Sequence, residues 1–457
     1  MDVKFLHATV ITQNGGREIL SDGGVVVKRN RIAAVGLSSD IERMHPNLPS
    51  IDLSGKALMP GLINAHTHVV LLVLRGTVED MGAEAIYGYM TPISFAMTED
   101  EREALALLGC LEALRSGSST LVEPFRHVVG YAGAMAKTGM RLWLAENCAD
   151  ALTLKIRQGI YEFDQAWGET FLDRQRALIE KFHNTHNGRV HCQISAHAPD
   201  NCSPWMLRQL NDLREKHGLR RTVHLAQSKG EVAQVRKYAG CTPAEYLERN
   251  DWLGPDVVGA HWTNCTDSDI ALLARHGVHM AHCAANSSRR GPHPAPVAKI
   301  LDAGINVALG TDNMTEDMFQ AMHIGSIVHR GSYGGGTKPQ PQDLLDAGTR
   351  NGALSLGVEA EIGSIEVGKK ADLAVINLED PCMVPRINLV SNLVHYGHQG
   401  MIDSMMVDGE FLMREGAVLC LDEKEVVRNA QAATASAWRR LHQKNSDLPL
   451  PVGLRTG

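Results

Sequence analysis

The sequence predicts an α/β protein: a (β/α)8 barrel of TIM type carrying a small β-sandwich domain built from both chain ends. Three observations lead there. Strand and helix patterns alternate eight times across residues 59–362. Short, glycine-punctuated β segments occupy both flanks. Histidines and an aspartate recur directly after apolar strand runs, as they do where a barrel builds its site at the C-terminal rim. An open doubly wound sheet would need a glycine-rich phosphate loop after a strand, and the sequence has none.

Residues 1–58 read as the first part of the sandwich. Val25-Val26-Val27-Lys28 follows the turn Asp22-Gly23-Gly24, and 31–35 follows Asn30. The same texture returns in 363–422, in 365–376 and 404–410. Either block alone would bury little surface, so one sheet domain made from both is expected. Within the 59–362 barrel the strand candidates are 62–63, 119–122, 141–144, 190–195, 222–225, 257–260, 278–281 and 307–309. Between them lie helices with start signals. Thr98 and Glu101 form a capping box before the stripe Leu105, Leu108, Leu111, Leu114; Ser203-Pro204 opens a second helix, and Thr266 with Asp269 a third. Residues 423–457 form a helix, over about 423–440, and a poorly ordered tail; the helix packs on the barrel or on a second subunit.

Composition excludes several classes. With 45 Lys plus Arg against 52 Asp plus Glu, a formal charge of -7 and no basic tract, no nucleic-acid partner is expected. No run reaches 18 apolar residues, so no membrane span is expected either. Nine scattered cysteines without a Cys-x-x-Cys pair, behind an N-terminus without a signal-peptide profile, point to a reducing, cytoplasmic setting. The expected partner is a small-molecule substrate.

The chemistry is written at the strand ends. His66-Thr67-His68 follows Pro60-Gly61-Leu62-Ile63-Asn64-Ala65. Residues two apart in an extended segment share a face, so both imidazoles can converge on one ion. His224, His261 and Asp312 each close a further apolar strand. One such histidine alone reads as a structural hydrogen-bonding group; five metal-capable groups at the ends of four strands read as a metal site. Three histidines and an aspartate suit one divalent ion per subunit, Zn2+ first, with Co2+, Fe2+ or Mn2+ as alternatives. Such an ion acidifies a water for attack near neutral pH. Asp312 can take the proton and return it to the leaving group, while His261 orients the nucleophile and stabilises developing charge. No lysine stands at the end of the fourth strand, where Ser195-Ala196-His197 lies, which favours one ion over two.

The order Pro60-Gly61-Leu62-Ile63-Asn64-Ala65-His66-Thr67-His68, His224-Leu225-Ala226, Ala260-His261 and Ala308-Leu309-Gly310-Thr311-Asp312 resembles the amidohydrolase superfamily. It looks most like the branch with s-triazine hydrolases and chlorohydrolases and with aminohydrolases for cytosine, guanine and adenosine-type substrates. The resemblance spans nearly the whole chain. It implies that His66, His68, His224 and Asp312 hold the metal, that His261 assists water and substrate, and that His197 contacts substrate. It implies a homo-oligomer as well. Arg75-Gly76 match a Leu-Arg-Gly segment whose arginine is either structural or catalytic.

Departures from that pattern shape the functional expectation. Deaminases of the branch carry a glutamate three residues after the strand-five histidine, which passes a proton to a ring nitrogen. Gln227 stands there, and it can hydrogen-bond but not titrate. It contacts substrate or is a spacer; Glu231, one helical turn on, braces the loop. After the sixth strand Trp262 places a large ring near the rim. After the seventh, His282 reaches a substrate carbonyl or caps its loop, and Asn286 joins the substrate contacts, as does Met314 after the eighth. Met90, Phe95, Trp143 and Phe319 would complete an apolar wall with Trp262 and Met314. The leading expectation is hydrolysis of the carbonyl C-N or C-S bond of a small apolar N-substituted urea, carbamate or thiocarbamate, as in phenylurea and molinate hydrolases. The alternative is an aminohydrolase or dechlorinase of an aminated heterocycle such as an s-triazine or nucleobase-like ring, with Glu123 or Glu231 replacing the missing acid. A metal-binding scaffold without turnover is the third.

Overall fold

A computed structural model describes residues 2–290, 293–332, 337–446 and 448. Eight strands build the barrel: β1 (Leu62–Asn64), β2 (Ser118–Phe125), β3 (Arg141–Cys148), β4 (Ile194–Ala196), β5 (Arg221–Leu225), β6 (Val257–His261), β7 (His279–His282) and β8 (Val307–Leu309). Each pairs in parallel with the next. The predicted strand 190–195 is split: Val190–Cys192 also pairs with β3, and the break falls at Gln193, whose N–H still donates to Leu144 O at 2.9 Å. Every residue of β2, β3, β5, β6 and β7 is buried. Covering on both faces is why these strands read as unbroken apolar runs rather than alternating ones.

The barrel closes through the segments that follow β1 and β8. Ala65 N–H donates to Leu309 O at 2.8 Å, Asp312 N–H to His66 O at 2.9 Å, and His68 N–H to Asp312 O at 2.6 Å. Gly310 permits this approach, since a Cβ there would lie 2.8 Å from His66 O and 2.9 Å from His66 Cβ. Closing the barrel and setting the two histidines beside the aspartate are therefore one event. The helices begin where their caps predict: reciprocal capping boxes form at Thr98/Glu101 and Thr266/Asp269, and Ser203 caps the helix opened by Pro204.

The two chain ends meet in one nine-stranded, mostly antiparallel sheet. Its strand Lys56–Pro60 lies between Val3–Ile11 and Leu373–Asn377, and only Gly61 separates it from β1. The far edge curls back: Ile32 N–H donates to Lys369 O and Ala371 N–H to Asn30 O. This sheet, the one domain expected from both chain ends, encloses Phe5, Val25, Val27, Leu58, Leu373 and Met406 in its own core. Arg141 of β3 ties the sheet to the barrel through a two-point bond to buried Asp372, at 2.7 and 3.0 Å.

The C-terminal helix, Glu423–Lys444, is longer than its sequence pattern suggests and lies on the barrel. Trp438 donates its indole N–H to Val73 O at 2.8 Å, and Arg440 grips Glu101 on the helix Glu99–Arg115. Apart from Ser446 and Leu448, the last dozen residues lie outside the described ones. No helix among the described residues is long and apolar enough to cross a membrane, and all nine cysteines are free.

Candidate metal centre and active site

At the C-terminal rim, side chains from β1, β5, β6 and β8 converge. Ligand-capable atoms of His66, His68 and His224 lie within 4.8 Å of one another, and so do those of His66, His261 and Asp312. His68 Nε2 and His224 Nε2 face each other at 3.2 Å. Asp312 Oδ1 is 3.5 Å from His68 Nε2, and Oδ2 is 3.7 Å from His261 Nε2. Both nitrogens of His66 and Nδ1 of His68 are buried without a hydrogen-bond partner. The arrangement fits a divalent cation: two nitrogens at roughly 2.0–2.1 Å from one tetrahedral zinc stand about 3.3 Å apart.

The imidazoles are held neutral, lone pairs available. Burial and then the neighbouring rings push His66, His68 and His261 well below the ordinary histidine range, and burial brings His224 down to about 4. His224 Nδ1 bonds His197 O at 2.6 Å, which turns Nε2 toward the cluster. Burial raises Asp312 to about 6, opposed by Arg290 and by bonds from Asn313 and Asn286. Asn313 Nδ2 donates to Oδ1 at 2.9 Å and Asn286 Nδ2 to Oδ2.

The loops leaving these strands are strained in one consistent way. Ala226, His261, Trp262, Asp312 and Met314 all have positive φ, between 49° and 80°, which non-glycine residues rarely adopt. Below them, Glu316 fixes the frame by accepting from Thr67 Oγ1 at 2.6 Å, Asn64 Nδ2 at 3.0 Å and Thr311 Oγ1 at 3.2 Å. Arg75 is structural: its Nε donates to Met314 O at 2.9 Å while Nη2 holds Glu112.

The site has two neighbouring spaces. An inner recess of about 30 Å3 is lined by His68, His197, His224, His261 and Asp312, with Asn286, Arg126, Arg290, Asn147 and Met90. An outer chamber of about 550 Å3 is lined by Tyr87, Arg157, Tyr161, Asp200 and Glu231 among others, and Gln227 and Ile86 border both spaces. Ile86 and Met90, the ends of the turn Ile86–Met90, line the recess. In the chamber, burial raises Asp200 to about 7, and its Oδ1 has no partner.

Several residues expected at the site are elsewhere. Trp262 lines neither space: the positive-φ backbone folds its ring back against Gly259, where it is fully buried in the main core. Met314, turned by its own positive φ, also packs in that core. His282 pairs instead with His329, Nε2 to Nε2 at 2.9 Å. Trp143 stacks on His191 in a cluster with Ile63 and Leu356, and Phe319 packs beneath Gly397. Of the predicted apolar wall only Met90 reaches the recess; Phe95 lies behind Arg126.

The proposed replacement acids are occupied as well. Glu123 accepts from Tyr131 Oη and Val69 N, outside the recess, and Glu231 braces the loop through the Ala226 and Gln227 amides at 2.8 Å. Sequence reasoning passed over Arg126, Asn147 and Arg290. Arg126 and Asn147 stand at strand ends just as the histidines do, and that signal was available.

Comparison with known proteins completes the picture. The model of the Amidohydrolase family matches residues 57–412. A 5'-deoxyadenosine deaminase of Methanothermobacter thermautotrophicus is 31% identical over 438 residues, covering 92% of this chain and 97% of the relative. A 5-methylthioadenosine/S-adenosylhomocysteine deaminase of Pelotomaculum thermopropionicum is 28% identical, covering 93% and 96%. Among solved structures, a zinc-bound adenosine deaminase from Xanthomonas campestris superposes with a TM-score of 0.86 at 23% identity, covering 97% and 99%. A zinc complex of atrazine chlorohydrolase from Arthrobacter aurescens TC1 does so with 0.84 at 21%, covering 94% and 100%. The deaminase relatives overturn the expectation of urea, carbamate or thiocarbamate cleavage: the missing glutamate at 227 does not remove the chain from their company. With its barrel, its rim of histidines and these relatives, the chain is a hydrolytic enzyme and belongs to the amidohydrolase family.

Proposed function

We propose that the protein is a mononuclear, metal-dependent aminohydrolase that releases ammonia from an aminated nitrogen heterocycle, adenosine-type compounds being the first to test. One observation carries the reading: the ligand-capable atoms of His66, His68 and His224 cluster, as do those of His66, His261 and Asp312, with both nitrogens of the shared His66 buried and unpartnered, in a chain whose relatives are named as deaminases. His66, His68, His224 and Asp312 would hold the ion, zinc first, which when bound supplies the Lewis acidity that makes water nucleophilic near neutral pH. Asp312 accepts a proton from the attacking water and delivers it to the departing amino group, its oxygens held by Asn286 and Asn313. His261, 3.7 Å from Asp312 Oδ2, orients the water. Gln227, between the chamber and the recess, offers its amide N–H to a ring nitrogen. Water adds to the carbon that bears the amino group, ammonia leaves, and a carbonyl remains.

The test is ammonia release by zinc-replete protein from a panel of aminopurine nucleosides, aminopyrimidines and amino-s-triazines, the rings taken with and without a carboxylate substituent, with the product identified by mass. The proposal expects ammonia and the oxo product in equal amounts from at least one class, and near-complete loss in Asp312→Asn. Full metal content with no ammonia from any class refutes it.

A further inference from the structure

The recess holds a cation without a counterpart. Arg126 follows β2 directly and is 2% exposed. Among the described residues no carboxylate lies within ion-pair distance of it; its Nε has no partner, and Nη2 rests 3.5 Å from His197 Nε2. Its guanidinium carbon sits 5.6 Å from the ring centroids of Phe95 and Phe125. Burial draws the group down to about 10, so it is charged at neutral pH. Equally buried Arg141 and Arg221 instead hold Asp372 and Asp256 by two-point bonds. Aromatic faces recover only part of the cost of burying a charge; a paired anion recovers much more.

The surroundings repeat the pattern. Asn147 stands at the neighbouring position of β3, one step beyond the Phe125–Glu146 pair. Its Oδ1 accepts from Ser195, while its Nδ2 is buried without a partner. Across the recess Arg290 Nη2 is also unpartnered. Asp312 is the sole carboxylate among the described residues of the lining, and Gln227 at the mouth is neutral. The wall offers spare donors and positive charge; against them stand the Asp312 carboxylate and one unpartnered neutral acceptor, Asn313 Oδ1.

We propose that the heterocycle carries an anionic oxygen substituent, a carboxylate in the first instance, which Arg126 binds with help from Asn147. The inference rests on the aminohydrolase reading in one respect: the anion is attached to the ring that loses ammonia. It accounts for the neutral residue at 227, since a carboxylate there would repel such a substrate at the mouth of the recess. Arg126 acts by binding substrate, so its loss is read in KM rather than in kcat.

The experiment is calorimetric titration of zinc-loaded protein with pyrimidine-5-carboxylate and with the neutral 5-(hydroxymethyl)pyrimidine. Neither probe carries an amino group, so binding is read without turnover; silence in the ammonia assay leaves this result standing, and the reverse also holds. The expected outcome is a preference for the carboxylate of about tenfold or more in the wild type. Arg126→Met abolishes the preference, and Arg126→Lys keeps part of it. The Met variant is also expected to keep its zinc and to unfold at a higher temperature, because a buried unpaired charge has been removed. No preference in the wild type overturns the proposal. So does a preference that survives in Arg126→Met, which would place the anion on the metal, and so does a lower unfolding temperature in that variant, which would make Arg126 a structural cation.

Discussion

Replacing Glu123 by Gln is expected to stabilise the protein in alkaline solution and to do little in acid. Glu123 is fully buried on β2; its carboxyl accepts from Tyr131 Oη at 2.7 Å and from Val69 N at 3.0 Å, fastening the segment just after His68. Burial lifts it from 4.5 to about 8, against the pull of those two bonds. A folded-state value raised above the unfolded one gives stability that is complete below the unfolded value and lost as pH climbs through the folded one. Over that gap, at about 1.36 kcal/mol per unit, the loss is roughly 5 kcal/mol, complete above about pH 8. Glutamine has nothing to ionise, and its amide can accept from Val69 and donate to Tyr131. The assay is urea unfolding of both proteins across this range. Groups common to both cancel in the difference, which is expected to move toward the variant by about 1.4 kcal/mol per pH unit between roughly pH 5 and 8. A difference independent of pH would show that the carboxyl is ionised in the folded state throughout, and the reasoning from burial would fail.

Two further substitutions separate the site from its scaffold. Gly310→Ala pushes a methyl group against His66 where barrel closure and the metal cluster coincide; bound metal falls well below one per chain and activity drops by about a hundredfold, read by elemental analysis and ammonia release. Arg141→Met leaves Asp372 buried and unpaired; urea unfolding registers a loss of roughly 3–5 kcal/mol, while kcat/KM per folded molecule is unchanged. An Arg141 variant that folds normally but loses activity would contradict the division between sheet layer and catalytic rim.

What could be read in the sequence is what local order encodes. The eight strands were visible as apolar runs because both faces of each are covered, and the helix starts because caps are contiguous motifs. His66, His68, His224, His261 and Asp312 were visible because each ends a strand, and parallel strands deliver their ends to one rim. Trp262 and Met314 end strands too, yet backbone turns with positive φ swing them into the core, and sequence does not display φ. His282 was ambiguous because its partner, His329, sits on a distant helix. Arg126 escaped notice because a lone arginine after a strand looks like a rim charge; the lack of a partner appears only once the fold is closed around it. The functional misreading has a similar root. Gln227 alone was taken to decide the substrate class, and the deaminase relatives overturn that.

The most direct test of the central claim is anomalous diffraction at the zinc edge from crystals of zinc-loaded protein. The account predicts one strong peak per chain, about 2.0–2.2 Å from nitrogens of His66, His68 and His224 and from a carboxylate oxygen of Asp312. A fully loaded protein whose peak lies away from these four side chains would contradict it.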